Sequence, residues 1–97
     1  MEKLHFEYAG SVPVKKRAHV GVVASGDMEI LLEPVQTAVT EVDVITRFDG
    51  SGEIWEEVFN RFFAENPISA KIQIHDFGAR PGLVSLRMLQ VLEECMK

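Results

Sequence analysis

The hydrophobic pattern of this chain changes its period near Ser51, and that change limits which folds are open to it. Before Ser51, apolar and polar residues alternate in short segments, as is typical of half-buried β-strands. Beyond it, apolar residues over 54–63 recur at the spacing of an amphipathic helix. Another alternating segment and a second helical stripe follow. The pattern predicts the element order β-β-β-β-α-β-α.

Turn-forming residues and prolines separate these predicted elements. Pro34 is expected to end the third strand because proline cannot donate to a sheet ladder. We expect Ser51 to cap the first helix, Asn66-Pro67 to end it and Pro81 to begin the second. The predicted strands cover residues 4–8, 18–24, 28–33, 41–48 and 70–75.

Each predicted helix has an apolar stripe, which favours packing of the helix on a sheet over a cofactor site. The first stripe contains Ile54, Trp55, Val58, Phe59, Phe62 and Phe63. The second contains Val84, Met88, Val91, Leu92 and Cys95, and it is widened by Leu83, Leu86 and Leu89. Leading strands joined by short turns, then a strand between two helices, predict an α+β two-layer sandwich. Its sheet should be mostly antiparallel, with both helices on one face.

Length and composition restrict the possible functions. A chain of 97 residues is expected to form one domain, residues 1–97. Its formal charge of −5 argues against nucleic-acid binding, and the basic run 15–17 is interpreted as a solvated turn. Its single cysteine, Cys95, suits a reducing compartment. The sequence lacks a membrane-length apolar run and a signal-peptide pattern at its start, so we expect a cytoplasmic protein without a membrane partner.

Patterns that support catalysis are missing from the sequence. His5, His19 and His75 fall in strand-like segments without the close spacing of a metal site, so no metal is expected. The carboxylate pairs 56–57 and 93–94 are consecutive on helices, where neighbouring side chains diverge. Phosphate-loop, dinucleotide and hydrolase-elbow motifs are also lacking. We therefore predict a protein without catalytic residues of its own.

One loop has the composition of an anion site. Residues 78–82 open the second helix, whose N-terminus offers free N–H groups, and Arg80 adds a positive charge. The favoured interpretation is a tight corner between strand and helix, with Arg80 either solvated or paired with Asp76.

Ser25, Gly26 and Asp27 stand between two apolar runs, residues 19–23 and 28–32. A Gly-Asp pair between β-type residues predicts a tight hairpin turn, because glycine adopts positive φ easily and aspartate tolerates it. We expect Ser25 to be exposed at or beside the hairpin tip, within reach of another protein's active site. Nothing nearby in the sequence activates it, so it is expected to accept a group. Gly26 would give access to the backbone; Asp27 would aid recognition or simply form the turn.

Three blocks of the chain resemble the acyl carrier (delta) subunits of malonate decarboxylase. They are VVASGDMEILLEP at 22–34, the helix with Trp55 and Arg61-Phe62-Phe63, and DFGARPGLVSLR at 76–87. The likeness spans nearly the whole chain, and the order and spacing of the blocks make it specific. A more distant likeness is to the acyl carrier (gamma) subunit of citrate lyase, which shares the serine before a short turn and the D-x-G-A element.

The resemblance implies a covalent cofactor. Ser25 would be joined through a phosphodiester to 2′-(5″-phosphoribosyl)-3′-dephospho-CoA by a separate holo-carrier synthase, with Gly26 and Asp27 beside it. The thiol of this arm would carry acetyl or malonyl as a thioester between an acyltransferase subunit and carboxy-lyase subunits. Two alternatives stay open: a citrate lyase carrier, and a non-enzymatic interaction or RNA-binding module, since similar element orders occur in ribosomal proteins.

Overall fold

The computed structural model describes residues 1–24 and 26–97. They form a two-layer α+β sandwich, as the sequence predicts, although a short strand at Val12–Pro13 adds one strand before the first helix to the predicted order. The strands are β1 (Glu2–Ala9), β2 (Val12–Pro13), β3 (Ala18–Gly21), β4 (Met28–Pro34), β5 (Val39–Thr46) and β6 (Ile68–Asp76). The helices are α1 (Gly52–Glu65) and α2 (Pro81–Cys95). Neither helix is long and apolar enough to cross a membrane, and this finding concerns the described residues alone.

The strands of the sheet lie in the order β1-β5-β6-β4-β3, and the short β2 pairs with one end of β6. Three pairs are antiparallel: β1 with β5, β3 with β4 and β4 with β6. Strands β5 and β6 run parallel because α1 connects them as a crossover. The prediction of a mostly antiparallel sheet is confirmed.

The core lies between one face of the sheet and both helices. Alternate residues of the central strands point into it, among them Ile30, Ile74 and Val44, each at most 1% exposed. The helices cover this face with two apolar stripes. Trp55, Phe59 and Phe63 come from α1, and Val84, Met88, Val91 and Cys95 come from α2. Both helices therefore share one face, as predicted, and the other face of the sheet stays open.

The predicted hairpin is present, but its connection is longer than expected: β3 pairs antiparallel with β4, and Asp27 N–H donates to the Ala24 carbonyl at 3.1 Å, as in a tight turn. Strand β3 ends at Gly21, not at residue 24, so residues 22–27 connect β3 to β4. Gly21 adopts a φ of +86°, and a Cβ there would collide with the carbonyl of Met28. This left-handed backbone ends the strand before the two valines that follow, Val22 and Val23, which are 55% and 63% exposed.

Several element ends also differ from the prediction. Strand β5 ends at Thr46, which leaves Phe48 56% exposed. Leu86 and Leu89 point outward on α2 and do not widen its buried stripe. Ser51 is the N-cap residue of α1, but its hydroxyl donates to the Phe48 carbonyl at 3.1 Å instead of accepting a helix N–H.

Candidate functional site

We use the name attachment segment for Ala24, Gly26 and Asp27, the residues around the predicted attachment point. They lie where the β3–β4 connection enters β4. Ser25 itself lies outside the described residues. The residues on either side of it, Ala24 and Gly26, are exposed. Gly26 adopts a φ of +80°, and a Cβ on it would meet no atom within 4 Å. The space around Gly26 is therefore open to an incoming molecule.

Two backbone hydrogen bonds fix the residues after the predicted attachment point to β6. Gly26 N–H donates to the Phe77 carbonyl, and Phe77 N–H donates to the Asp27 carbonyl, each at 2.8 Å. They continue the antiparallel ladder beyond the Met28–Asp76 pair at the end of β4. The exposed segment is thus held by the sheet at its C-terminal side.

The Asp27 side chain fixes the same segment to helix α2. Arg87 donates from Nε to Oδ1 of Asp27 at 3.0 Å and from Nη2 to Oδ2 at 2.7 Å. The Asp27 Oδ1 atom also accepts the N–H of Met28 at 2.7 Å. The Arg87 guanidinium and, to a smaller extent, the Met28 N–H lower the pKa of the Asp27 carboxyl. This carboxylate is a structural anchor and a poor proton acceptor.

A buried carboxylate shapes the neighbouring loop between β6 and α2. Asp76 is 5% exposed and accepts the Thr46 hydroxyl at 2.9 Å. Its other oxygen accepts the N–H groups of Gly78 and Ala79 at 3.1 and 2.9 Å. Asp76 therefore bonds with Thr46 and the loop backbone, while Arg80 is exposed. Of the two predicted alternatives for Arg80, solvation or pairing with Asp76, solvation is the one that agrees with this arrangement.

This loop approaches the attachment segment closely. Gly78 adopts a φ of +101°, and a Cβ on it would lie 3.7 Å from the nitrogen and 3.8 Å from the Cα of Gly26. The same Cβ would lie 3.7 Å from the ring of Phe48. Segments 26–27, 77–79 and Phe48 therefore meet at one end of the molecule, although they are far apart in the sequence.

Two histidines converge on the open face of the sheet. His19 Nε2 lies 2.9 Å from one oxygen of Glu29, and His75 Nδ1 lies 3.6 Å from the other. The register places these residues on three adjacent strands, β3, β4 and β6. Sequence spacing alone does not show this convergence.

The third histidine lies at the opposite edge of the sheet. His5 Nδ1 is 2.6 Å from Asp43, and its Nε2 is 3.3 Å from Glu7. These carboxylates, Asp43 first, raise the pKa of His5. Potential ligand atoms of His5, Glu7 and Glu41 lie within 4.8 Å of one another. This exposed cluster is separate from the attachment segment, and the sequence prediction did not include it.

Comparison with known proteins decides the family. The model of the malonate decarboxylase delta subunit (MdcD) family matches residues 15–95. The chain belongs to this family. The match includes the attachment segment, Asp27, Arg87 and the loop shaped by Asp76, and it confirms the resemblance seen in the sequence.

Relatives and a solved structure agree with the family match. The malonate decarboxylase acyl carrier protein of Stutzerimonas stutzeri (strain A1501) is 48% identical over 95 residues, which cover 97% of this chain and 96% of the relative. That of Azotobacter vinelandii is 47% identical with the same coverage. A chain from the crystal structure of a Pseudomonas malonate decarboxylase hetero-tetramer in complex with malonate superposes with a TM-score of 0.93. It is 46% identical, and the match covers 98% of this chain and 99% of that one.

By homology, the chain is an acyl carrier subunit of malonate decarboxylase, and an acyl carrier implies a covalently attached prosthetic group. The sequence prediction named Gly26 and Asp27 beside Ser25; the structure leaves Gly26 exposed and holds the largely buried Asp27 side chain against Arg87. The sequence prediction missed the role of Arg87, which lies within the third block of the family resemblance, residues 76–87. An arginine on the buried side of a helix was the available signal, but its partner is 60 positions away.

Proposed function

We propose that this chain carries acetyl and malonyl groups as thioesters on a 2′-(5″-phosphoribosyl)-3′-dephospho-CoA arm joined through a phosphodiester to Ser25. When bound, this arm supplies the thiol that forms the thioester. The protein supplies the serine hydroxyl, holds the segment around it and presents the loaded arm to other subunits. In this proposal the chain has no catalytic residue of its own.

The observation that carries the proposal is an exposed segment that is held firmly at its base. A group that another enzyme attaches requires an accessible acceptor, and Ala24 and Gly26 are exposed on both sides of position 25. The synthase also requires a defined backbone to recognise. The bonds from Phe77 and Arg87 to residues 26 and 27 supply that definition.

The electrostatics of the segment support a carrier role. Asp27 is the carboxylate nearest in sequence to Ser25, and Arg87 and Met28 occupy its oxygens. Its lowered pKa makes it a weak general base for activating the serine. The chemistry at Ser25 is therefore assigned to a separate holo-carrier synthase.

The proposed partners are the acyltransferase and carboxy-lyase subunits of the same complex. The similar Pseudomonas chain comes from a malonate decarboxylase hetero-tetramer in complex with malonate, which supports an equivalent assembly here. Helix α1 offers an acidic docking surface for such partners. Its 14 residues include four glutamates and one arginine, namely Glu53, Glu56, Glu57, Glu65 and Arg61. Weak contacts with basic partner surfaces allow one carrier to visit several sites in turn.

Intact-mass measurement tests the proposal. Protein produced together with its synthase and the remaining decarboxylase genes should exceed its sequence mass by one phosphoribosyl-dephospho-CoA unit. Fragmentation should place this unit on Ser25, and Ser25→Ala should remove it, whereas Ser51→Ala should retain it. Turnover of the loaded complex should require malonate. An active complex whose carrier is unmodified, or an arm loaded by citrate instead, would contradict the proposal.

A further inference from the structure

Two adjoining recesses lie between the helices on the side of the molecule away from the open sheet face. The smaller one, of about 180 Å³, is lined mainly by apolar side chains that include Phe48, Trp55, Ala79 and Val84. The larger one, of about 400 Å³, has walls formed by α1 and α2. Ile54, Val58 and Pro81 line both, so the two recesses form one continuous groove, which we call the interhelical groove.

The interhelical groove begins beside the attachment segment. Gly26, the residue after Ser25, lies against Gly78, and the Phe48 ring is equally close to Gly78. Phe48 and Ala79, the residue after Gly78, line the smaller recess. In the proposed arm, the phosphoribosyl and adenosine diphosphate groups stand between Ser25 and the pantetheine, and these groups need to cross only the loop at residues 78–79 to bring the pantetheine to the groove entrance.

The composition of the groove suits a flexible chain with both apolar and amide groups. Val58, Phe62, Met88 and Leu89 supply apolar walls in the larger recess. Two exposed apolar side chains, Ile54 at 57% and Leu89 at 55%, lie along it and gain most from being covered. Ser85 and Asn66 add hydrogen-bonding side chains at its rim. A pantetheine chain combines methyl and methylene groups with two amides.

The length of the groove also agrees with the length of a pantetheine chain. The groove follows α1 from Ile54 to Glu65, which corresponds to roughly 16 Å along a helix axis at about 1.5 Å per residue. An extended pantetheine chain has a comparable length. A tethered chain also has an effective concentration on the order of millimolar near its anchor, so a groove with a dissociation constant of about a millimolar is occupied roughly half of the time.

We infer that the interhelical groove holds the pantetheine part of the arm, with its acetyl end between the helices, when no partner has engaged it. This inference rests on the proposed attachment to Ser25. It assigns to α1 and α2 the protection of the thioester from water between visits to partner subunits.

The single tryptophan of the chain provides a readout that does not depend on activity, because Trp55 lines the smaller recess. We compare the modified, acetylated carrier with the unmodified Ser25→Ala protein by NMR. The indole N–H signal of Trp55 and the methyl signals of Val58 and Leu89 should shift upon modification. The methyl signals of Val39, at the start of β5 on the open face of the sheet, should not.

Two matched variants locate the effect in the groove. Ser85→Phe adds an aromatic ring to a residue of the groove wall, whereas Leu86→Phe adds one at the next exposed position, which does not line the groove. The shifts caused by modification should be lost in Ser85→Phe and retained in Leu86→Phe. Intact mass confirms in each sample that the arm is attached.

The possible results separate this inference from the proposed function. A carrier without the mass increment overturns both together. An attached arm that leaves the Trp55, Val58 and Leu89 signals unchanged overturns the inference alone. Equal behaviour of Ser85→Phe and Leu86→Phe also overturns it, as do shifts that appear only after a partner subunit is added.

Discussion

Arg87 on α2 holds both carboxylate oxygens of Asp27, at 3.0 and 2.7 Å, although the two residues are 60 positions apart. The pair is largely buried, with 22% of the Arg87 side chain and 15% of the Asp27 side chain exposed. Bidentate geometry fixes direction as well as distance. The attachment segment therefore keeps a defined position relative to the helix that forms one wall of the interhelical groove.

Removal of Arg87 should destabilise the fold and disturb modification. Arg87→Met keeps much of the side-chain volume but leaves the Asp27 carboxylate without its partner, so the free energy of unfolding should fall by about 1–2 kcal/mol. Urea denaturation measures this change. Arg17→Met, which removes the exposed Arg17–Glu33 pair, is the control, and it should change stability by less than about 0.5 kcal/mol. The rate of the proposed modification at Ser25 should fall only in Arg87→Met.

The Asp27–Arg87 pair also predicts a pH dependence of stability. The pKa of Asp27 is lowered from 3.8 in the folded protein, so its contribution is complete above pH 3.8 and is lost as pH falls through the folded value. The unfolding free energies of wild type and Asp27→Asn should differ by a constant amount from pH 7 to pH 5. Below about pH 4 the difference should shrink. A difference that grows on acidification would show that Asp27 is not stabilised as the carboxylate.

The spacing of apolar residues predicts most of the fold, because a strand or helix that buries one face needs apolar residues at a regular local spacing. The alternation in β4 and β6 and the stripe of α1 each follow from that requirement. The end of β3 could not be predicted in this way, because it depends on how closely Gly21 approaches the Met28 carbonyl of the next strand. Apolar residues after such a glycine resemble a continuing strand in the sequence.

The candidate site was predictable only in part, for a related reason. A serine before a Gly-Asp pair marks a turn locally, and family resemblance adds its role. The Asp27–Arg87 pair, the Glu29 contacts with His19 and His75, and the Gly78–Gly26 approach all arise from tertiary packing. These contacts join positions that no local pattern relates to each other.

The positive-φ glycines should differ in their tolerance of alanine. Gly21, Gly26 and Gly50 have φ values of +86°, +80° and +79°, so each substitution incurs a backbone penalty of about 1 kcal/mol. Only at Gly21 would the new methyl also collide with a backbone carbonyl, that of Met28. Gly21→Ala should therefore lower the melting temperature well below that of Gly26→Ala and Gly50→Ala. Equal losses in the three variants would contradict the close strand approach.

His5 should titrate above its ordinary pKa. Asp43 and then Glu7 raise the pKa of His5 from 6.5, so the protonated ring is favoured in the folded state. Its stabilising contribution is complete below pH 6.5 and is lost as pH rises through the folded value. NMR titration of the ring protons measures this pKa. Asp43→Asn should bring it back toward 6.5, whereas Gln73→Ala, on the same open face, should leave it unchanged.

Charge reversal on α1 should weaken productive encounters with partner subunits. Glu56 is exposed on the acidic face of α1 and does not line the interhelical groove. Glu56→Lys should lower kcat/KM for acyl transfer to the carrier by roughly threefold or more at low salt, because opposite charges speed diffusional association. Glu93→Lys near the end of α2 changes the net charge equally and should have a smaller effect. At about 1 M salt, where the Debye length is roughly 3 Å, the two variants should converge. If they already agree at low salt, α1 is not the docking helix.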